Sequence, residues 1–260
     1  MFSGLAAAIQ FLSAGNNADL EGLSVANQLY NTGHFQEAEK IYEQLLAQGI
    51  TDSSLYYNLG NTYLEGGDLG RAILNYQRAA QLDPRDPDIK ANLALARSQA
   101  GNLGATDASG PIQSLSGLTS SWLTLNETAT IALLMWFILG FLLLAFRQFQ
   151  AGNIRPVLRY GIALAVLLFM LAGFSFASRL YMEGTQPEGV IIADVVTLNS
   201  APSEDFATEY TLNSGTEVRL LETQGDWAHL SGPNDVLEGW IPIDTFETIS
   251  GISDSRTLSF

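Results

Sequence analysis

Cysteine is absent from the 260-residue chain, which excludes disulfides, thiolate nucleophiles and cysteine-ligated zinc. Histidine occurs twice, as His34 and His229, too far apart in sequence to suggest a shared metal site. Basic residues are scarce as well: 12 Lys and Arg stand against 27 Asp and Glu, a formal net charge of −15. That excess repels phosphate and anionic surfaces and argues against a nucleic-acid partner, although it would equally suit a saline habitat. No nucleophile–base pairing and no phosphate-binding loop is visible, so no catalytic, metal or cofactor residue is expected and the chain reads as non-enzymatic. Charge itself is missing from one stretch. Between Thr128 and Ser178 the only ionised side chains are Arg147, Arg155 and Arg159.

What is present begins with an internal period. The run from Gly33 to Tyr42 (GHFQEAEKIY) recurs 34 residues later from Gly67 to Tyr76 (GDLGRAILNY). In the second copy Tyr56, Leu59, Gly60, Tyr63, Ala72, Tyr76, Ala79 and Pro84 form a set that resembles the tetratricopeptide pattern. Leu59 and Tyr63, like Ala72 and Tyr76, are one helical turn apart, so each helix of the pair presents an apolar stripe. Gly60 and Ala72 are small enough for those helices to approach closely. Gly66-Gly67-Asp68 marks the turn between them, and Asp83-Pro84 ends the second. The first copy keeps Ala38 and Tyr42 but has Ala26 at the small position and Ile50 in place of proline. A third helix, about Pro87 to Gln99, carries Ile89, Leu93 and Ala96 and caps the stack. Residues 19–100 are thus expected to form two repeats and a capping helix, the lower limit for a stable solenoid.

The inner face of such a stack is its usual binding surface. Asn27, Tyr30, Asn31, Tyr57, Asn61 and Leu64 are expected to line it. The resemblance implies that Asn27 and Asn61 match asparagines with which some family members grip a peptide backbone or a C-terminal carboxylate. Leu23 and Ala91 stand where a carboxylate clamp has lysine, so that form of recognition is not expected.

A segment rich in Gly, Ser, Thr and Ala follows, and residues 101–127 read as a linker. Residues 128–146 and 160–178 are then two uncharged runs, each long enough to cross a bilayer as a helix. The loop between them, 147–159, holds three arginines and no acid. By the positive-inside rule it would be cytoplasmic, with both flanking modules on the outer, periplasmic side of a bacterial inner membrane. Export of the N-terminus would fall to residues 1–18, whose LAAAIQFLSA core resembles a short signal segment without its leading positive charge.

From residue 187 to 250 the pattern turns to short β-type runs: Val190–Leu198, Glu217–Thr223, Ala228–Leu230 and Glu238–Ile241, with turns at Gly215, Gly225-Asp226 and Gly232-Pro233. The segments around Val196 to Pro202, Gly215 to Val218, Gly225-Asp226-Trp227 and Gly239-Trp240-Ile241 resemble the bacterial SH3-like family, implying a five-stranded barrel. Trp227, Leu230 and Trp240 would serve in packing, and His229 would face solvent.

The expected architecture is therefore a multi-domain membrane protein: an α-helical tetratricopeptide solenoid, two transmembrane helices and a C-terminal all-β SH3-like barrel. That order of parts resembles protein E of the Bacteroides-aerotolerance (Bat) operon family (BatE-like). The resemblance implies a scaffold linked to envelope or oxidative stress tolerance, with von Willebrand-type Bat membrane proteins among its partners. An envelope sensor binding peptidoglycan or cell-wall peptides through the last module is the alternative.

Overall fold

The computed structural model describes residues 21–101, 122–149, 154–185, 187–232 and 237–250. The signal-like segment 1–18 and most of the linker lie outside the described residues. The chain forms two compact units: residues 1–106 together with 188–260, and residues 107–187.

The first unit opens with helices. Residues 21–31 are helical (α1), followed by α2 (Phe35–Ala47), α3 (Ser53–Gly66), α4 (Leu69–Leu82) and α5 (Pro87–Gln99). Their boundaries repeat. Asp52 caps α3 by accepting from the Ser54 amide, and Asp86, 34 residues on, caps α5 by accepting from Asp88 and Ile89. Gly33, Gly67 and Gly101, again 34 residues apart, all take positive φ (78°, 85° and 76°) after α1, α3 and α5, where glycine carries no Cβ penalty. Three glycines at one spacing mean that α5 is built like the first helix of a third repeat. The core between the helices is fully enclosed: Ala26, Ala38, Tyr42, Ala72, Ile73, Tyr76 and Ala96 have no exposed surface.

The same unit ends in an antiparallel sheet of seven strands: β1 (Glu188–Ile191), β2 (Val195–Asn199), β3 (Ala207–Asn213), β4 (Glu217–Gln224), β5 (Trp227–Ser231), β6 (Glu238–Pro242) and β7 (Phe246–Thr248). Their spatial order is β3-β2-β6-β5-β4-β1-β7. The sheet therefore has two more strands than expected. The single run expected over 190–198 is two strands, because Ile192 and Ala193 leave the ladder to donate to the Thr245 carbonyl. Its halves then pair differently, β1 with β4 and β7, and β2 with β3 and β6. Inward residues Ile191, Ala228, Leu230 and Ile241 are completely buried. Trp240, one residue before Ile241 and so on the opposite face, is buried too, and His229 stacks flat on it at 4.8 Å, so the imidazole is packed and only partly exposed.

The second unit is a pair of long helices, α6 (Leu125–Gln148) and α7 (Ile154–Thr185). Thr124 and Glu127 form a capping box that starts α6. The helices pack on each other, with Trp136 against Phe169 and with Arg179 of α7 donating to the Leu123 carbonyl and the Thr128 hydroxyl. Both are long and apolar enough to cross a membrane. Their outward surface is apolar nearly all round: Phe137, Phe141, Leu144 and Met170 are each more than 60% exposed. Such a surface is far from what water tolerates on a monomer.

Candidate protein-interaction groove

Of the six residues expected to line the groove, Asn27, Tyr30 and Asn31 lie on α1 and Tyr57, Asn61 and Leu64 on α3. Asn31 is exposed and the others are half-buried. The Tyr30 ring packs at a tilt against Phe35, and the Tyr57 ring likewise against Tyr76.

Around the two asparagines a hydrogen-bond network appears twice. The Asn27 carbonyl oxygen accepts from the Tyr42 hydroxyl at 2.6 Å and from the Asn58 amide at 3.0 Å. The Asn61 oxygen accepts from the Tyr76 hydroxyl at 2.7 Å and from the Asn92 amide at 2.8 Å. Each member of the second set is the first shifted by 34 residues. Asn92 also donates to the Tyr57 hydroxyl at 3.1 Å, which ties a groove tyrosine into the ladder. The geometry leaves the side-chain amide N–H groups of Asn27 and Asn61 without a partner among the described residues. What the pattern offers chemically is a row of amide donors flanked by tyrosine rings, suited to carbonyl oxygens of an extended chain and not to bond-breaking. No group of three or more His, Asp or Glu able to hold a metal occurs among the described residues.

Asn58, Asn92, Tyr42 and Tyr76 were not among the expected site residues. Their signal is present in the sequence as the same 34-residue spacing, but Tyr42 and Tyr76 enter there only as repeat-pattern residues, and Asn58 and Asn92 are not singled out. In the structure Tyr42 and Tyr76 do both, burying the ring and using the hydroxyl to fix the asparagine.

Close helix packing holds the ladder in register. A Cβ on Gly60 would lie 2.8 Å from the Tyr76 ring. Gly60→Val should therefore destabilise the repeats by about 1–3 kcal/mol, read as a lower Tm for loss of helical circular dichroism. Burial, with Tyr30 nearby, pushes the Tyr42 phenol from its ordinary 10.0 up to about 12, and burial raises Tyr76 in the same direction. A folded-state pKa above the unfolded one gives stability that is complete below pH 10 and lost as pH rises towards 12. Helicity monitored against pH should thus hold to about 10 and collapse over the next two units.

A second concavity lies within the sheet. A cleft of about 270 Å³ is lined by Val195, Thr197, Glu204, Ala207, Trp227 and Pro242 among others. Asp226 adjoins it, its carbonyl accepting from the Ile243 amide.

Comparison with known proteins agrees with the repeat geometry. A family model described as "TPR repeat" matches residues 60–101. The chain contains a tetratricopeptide repeat. It is also similar to a TPR repeat-containing protein of Pseudomonas aeruginosa, 39% identical over 61 residues. That match covers 24% of this chain and 58% of the relative, so the chain spans little more than half of the relative's length. Repeats of this kind are protein-interaction modules without catalytic chemistry of their own.

Proposed function

We propose that the protein is a non-enzymatic, membrane-anchored scaffold that binds an extended segment of a partner protein in the groove of its tetratricopeptide repeats. The observation that carries this reading is the duplicated asparagine network, which fixes two amide donors one repeat apart beside Tyr30, Tyr57 and Leu64. The apolar girth of α6 and α7 supports anchoring, with the hairpin spanning a bacterial inner membrane. The arginines at 147, 155 and 159 favour a cytoplasmic loop and a periplasmic placement of the repeats. The architecture also supports a Bat protein E-like role in envelope or oxidative stress tolerance, with von Willebrand-type Bat proteins as partners.

Groove binding is tested by partner recovery with the full chain carrying Tyr30→Ala and Leu64→Arg, two half-buried positions outside the Asn–Tyr network. Recovery should fall at least tenfold; recovery equal to wild type would move the binding surface elsewhere. Orientation is tested on the naturally cysteine-free chain by placing single cysteines at the exposed Gln81 and Gln148. An impermeant maleimide outside spheroplasts should label position 81 and spare 148, and the opposite pattern would reverse the topology.

The cleft beside Trp227 and Pro242 favours a second reading, in which an SH3-like sheet binds cell-wall peptides or peptidoglycan. Sedimentation of the detergent-solubilised chain with purified sacculi addresses it: wild type should pellet and Trp227→Ala should not. Absence of the wild type from the pellet would count against this reading.

A further inference from the structure

The sheet does not merely follow the repeats in sequence, because strands from beyond residue 188 complete the packing of α4 and α5. Val190, Ile192 and Ile249 join the hydrophobic cluster of the helices. The Gly70 amide donates to the Ser214 hydroxyl at 3.0 Å, and a Cβ on Gly70 would lie 2.5 Å from the Ile191 carbonyl oxygen. Gly215 sits as tightly on the other side, where a Cβ would come within 2.9 Å of Ile73 and Ala100. Two arginines tie the contact. Arg78 donates to the Thr248 and Ile249 carbonyls and to Glu247, and Arg97 makes a two-pronged pair with Glu217.

The 34-residue period shows what this face is. Tyr63 of α3 meets the next helix, α4, through Arg71, and Glu39 of α2 lies within electrostatic reach of the same arginine. Shifting by one repeat turns Tyr63 into Arg97 and Glu39 into Ile73, the residues that meet the sheet. The positions of Gln36, Lys40 and Gln44, exposed on α2, become Gly70, Leu74 and Arg78, covered on α4. The second helix of a third repeat would need residues 106 and 110 as its Ala and Tyr, but the chain has threonine and glycine there, followed by proline.

We infer that residues 188–250 are the intramolecular partner of the solenoid's last face, standing where the second helix of a third repeat would pack. Repeats and sheet then fold as one body from segments on either side of the long helix pair, so both ends of that pair leave the same body. An even number of membrane crossings follows for any anchored form, whichever side the body occupies. The end face is closed to an outside partner or a second copy, and the Asn27–Asn61 groove stays open. The inference is independent of what that groove binds.

The test uses the full chain in its native membrane. Arg97→Cys with Glu217→Cys should be joined by a short bis-maleimide in more than half of the molecules. After proteolysis between residues 101 and 188 the two halves should migrate as one species. Adding Gly70→Val should lower the joined fraction at least fivefold and expose both halves to protease. Gly66→Val, at an exposed glycine with open space around it, should leave the fraction unchanged. Three results would overturn the inference: no joining although each cysteine labels singly, joining only between two copies, or Gly70→Val joined as well as its parent.

Discussion

Replacing Tyr76 with alanine should unfold the repeats at growth temperature. The ring is fully buried between α3 and α4, against Gly60 and 6.0 Å from the Tyr57 ring. Removing an aromatic side chain from such a site costs about 3–5 kcal/mol, comparable to the whole stability of a small domain. Tyr76→Phe separates the two functions of the residue. It keeps the ring and removes only the donor to Asn61, which still receives the Asn92 amide. Its cost should be about 0.5–1.5 kcal/mol, with the fold retained and the Asn61 amide less well fixed. Urea unfolding followed by circular dichroism measures both. Equal midpoints for the two variants would show that burial of the ring contributes little.

Arg78→Ala is expected to loosen the sheet from the helices more than any other single charge removal. The Arg78 side chain is 17% exposed, and its guanidinium serves two backbone carbonyls and one carboxylate while its face lies over the Tyr56 ring. Its loss leaves the Thr248 and Ile249 carbonyls short of a donor in a half-buried place, a penalty of roughly 2 kcal/mol. The Glu247 partner is 44% exposed and adds little once solvent screening is counted. Glu247→Ala should therefore be nearly neutral where Arg78→Ala is not. Hydrogen exchange of the β7 amides reads the difference, and faster exchange in Glu247→Ala than in Arg78→Ala would refute this ranking.

Local features of the chain were legible from its sequence and distant ones were not. The 34-residue period exposed the helix pairs because each repeat must bury the same stripe, and α5 begins and ends where Pro87 and Gln99 were expected to place it. The two uncharged runs are the cores of α6 and α7, which extend beyond them by three to seven residues at each end except the C-terminal end of α6, where the extension is two. Strand β3 was missed because ATEYTLN has one buried residue, Leu212, and so lacks the alternation of a half-buried strand. The sheet's hold on the helices was invisible for another reason. Gly70 and Ser214 are 144 residues apart, and nothing in either neighbourhood names the other. One hint existed in the apolar Ile73-Leu74 on α4, where α2 has Glu39-Lys40. The asparagine network lay between these cases: the spacing was visible, but the sharing of Asn27 and Asn61 between a tyrosine and the next helix's asparagine required coordinates.

The tyrosine–asparagine ladder also sets how the groove would recognise a chain. Its free donors belong to side chains that are already held on their acceptor side, so little ordering entropy remains to be lost on binding. Two amides one repeat apart would, on the proposed function, select for extended backbone more than for particular side chains. Specificity would then come from the half-buried Tyr30, Tyr57 and Leu64 beside them.

A partner segment held in the α1–α3 groove should be captured there by in-cell photocrosslinking. A photoreactive phenylalanine analogue would replace Leu64 in the groove or Gln44 on the exposed face of α2. Position 64 should give discrete, ultraviolet-dependent protein adducts, lost on adding Tyr30→Ala, and position 44 should give none. Adducts from position 44 with none from position 64 would contradict binding in the groove.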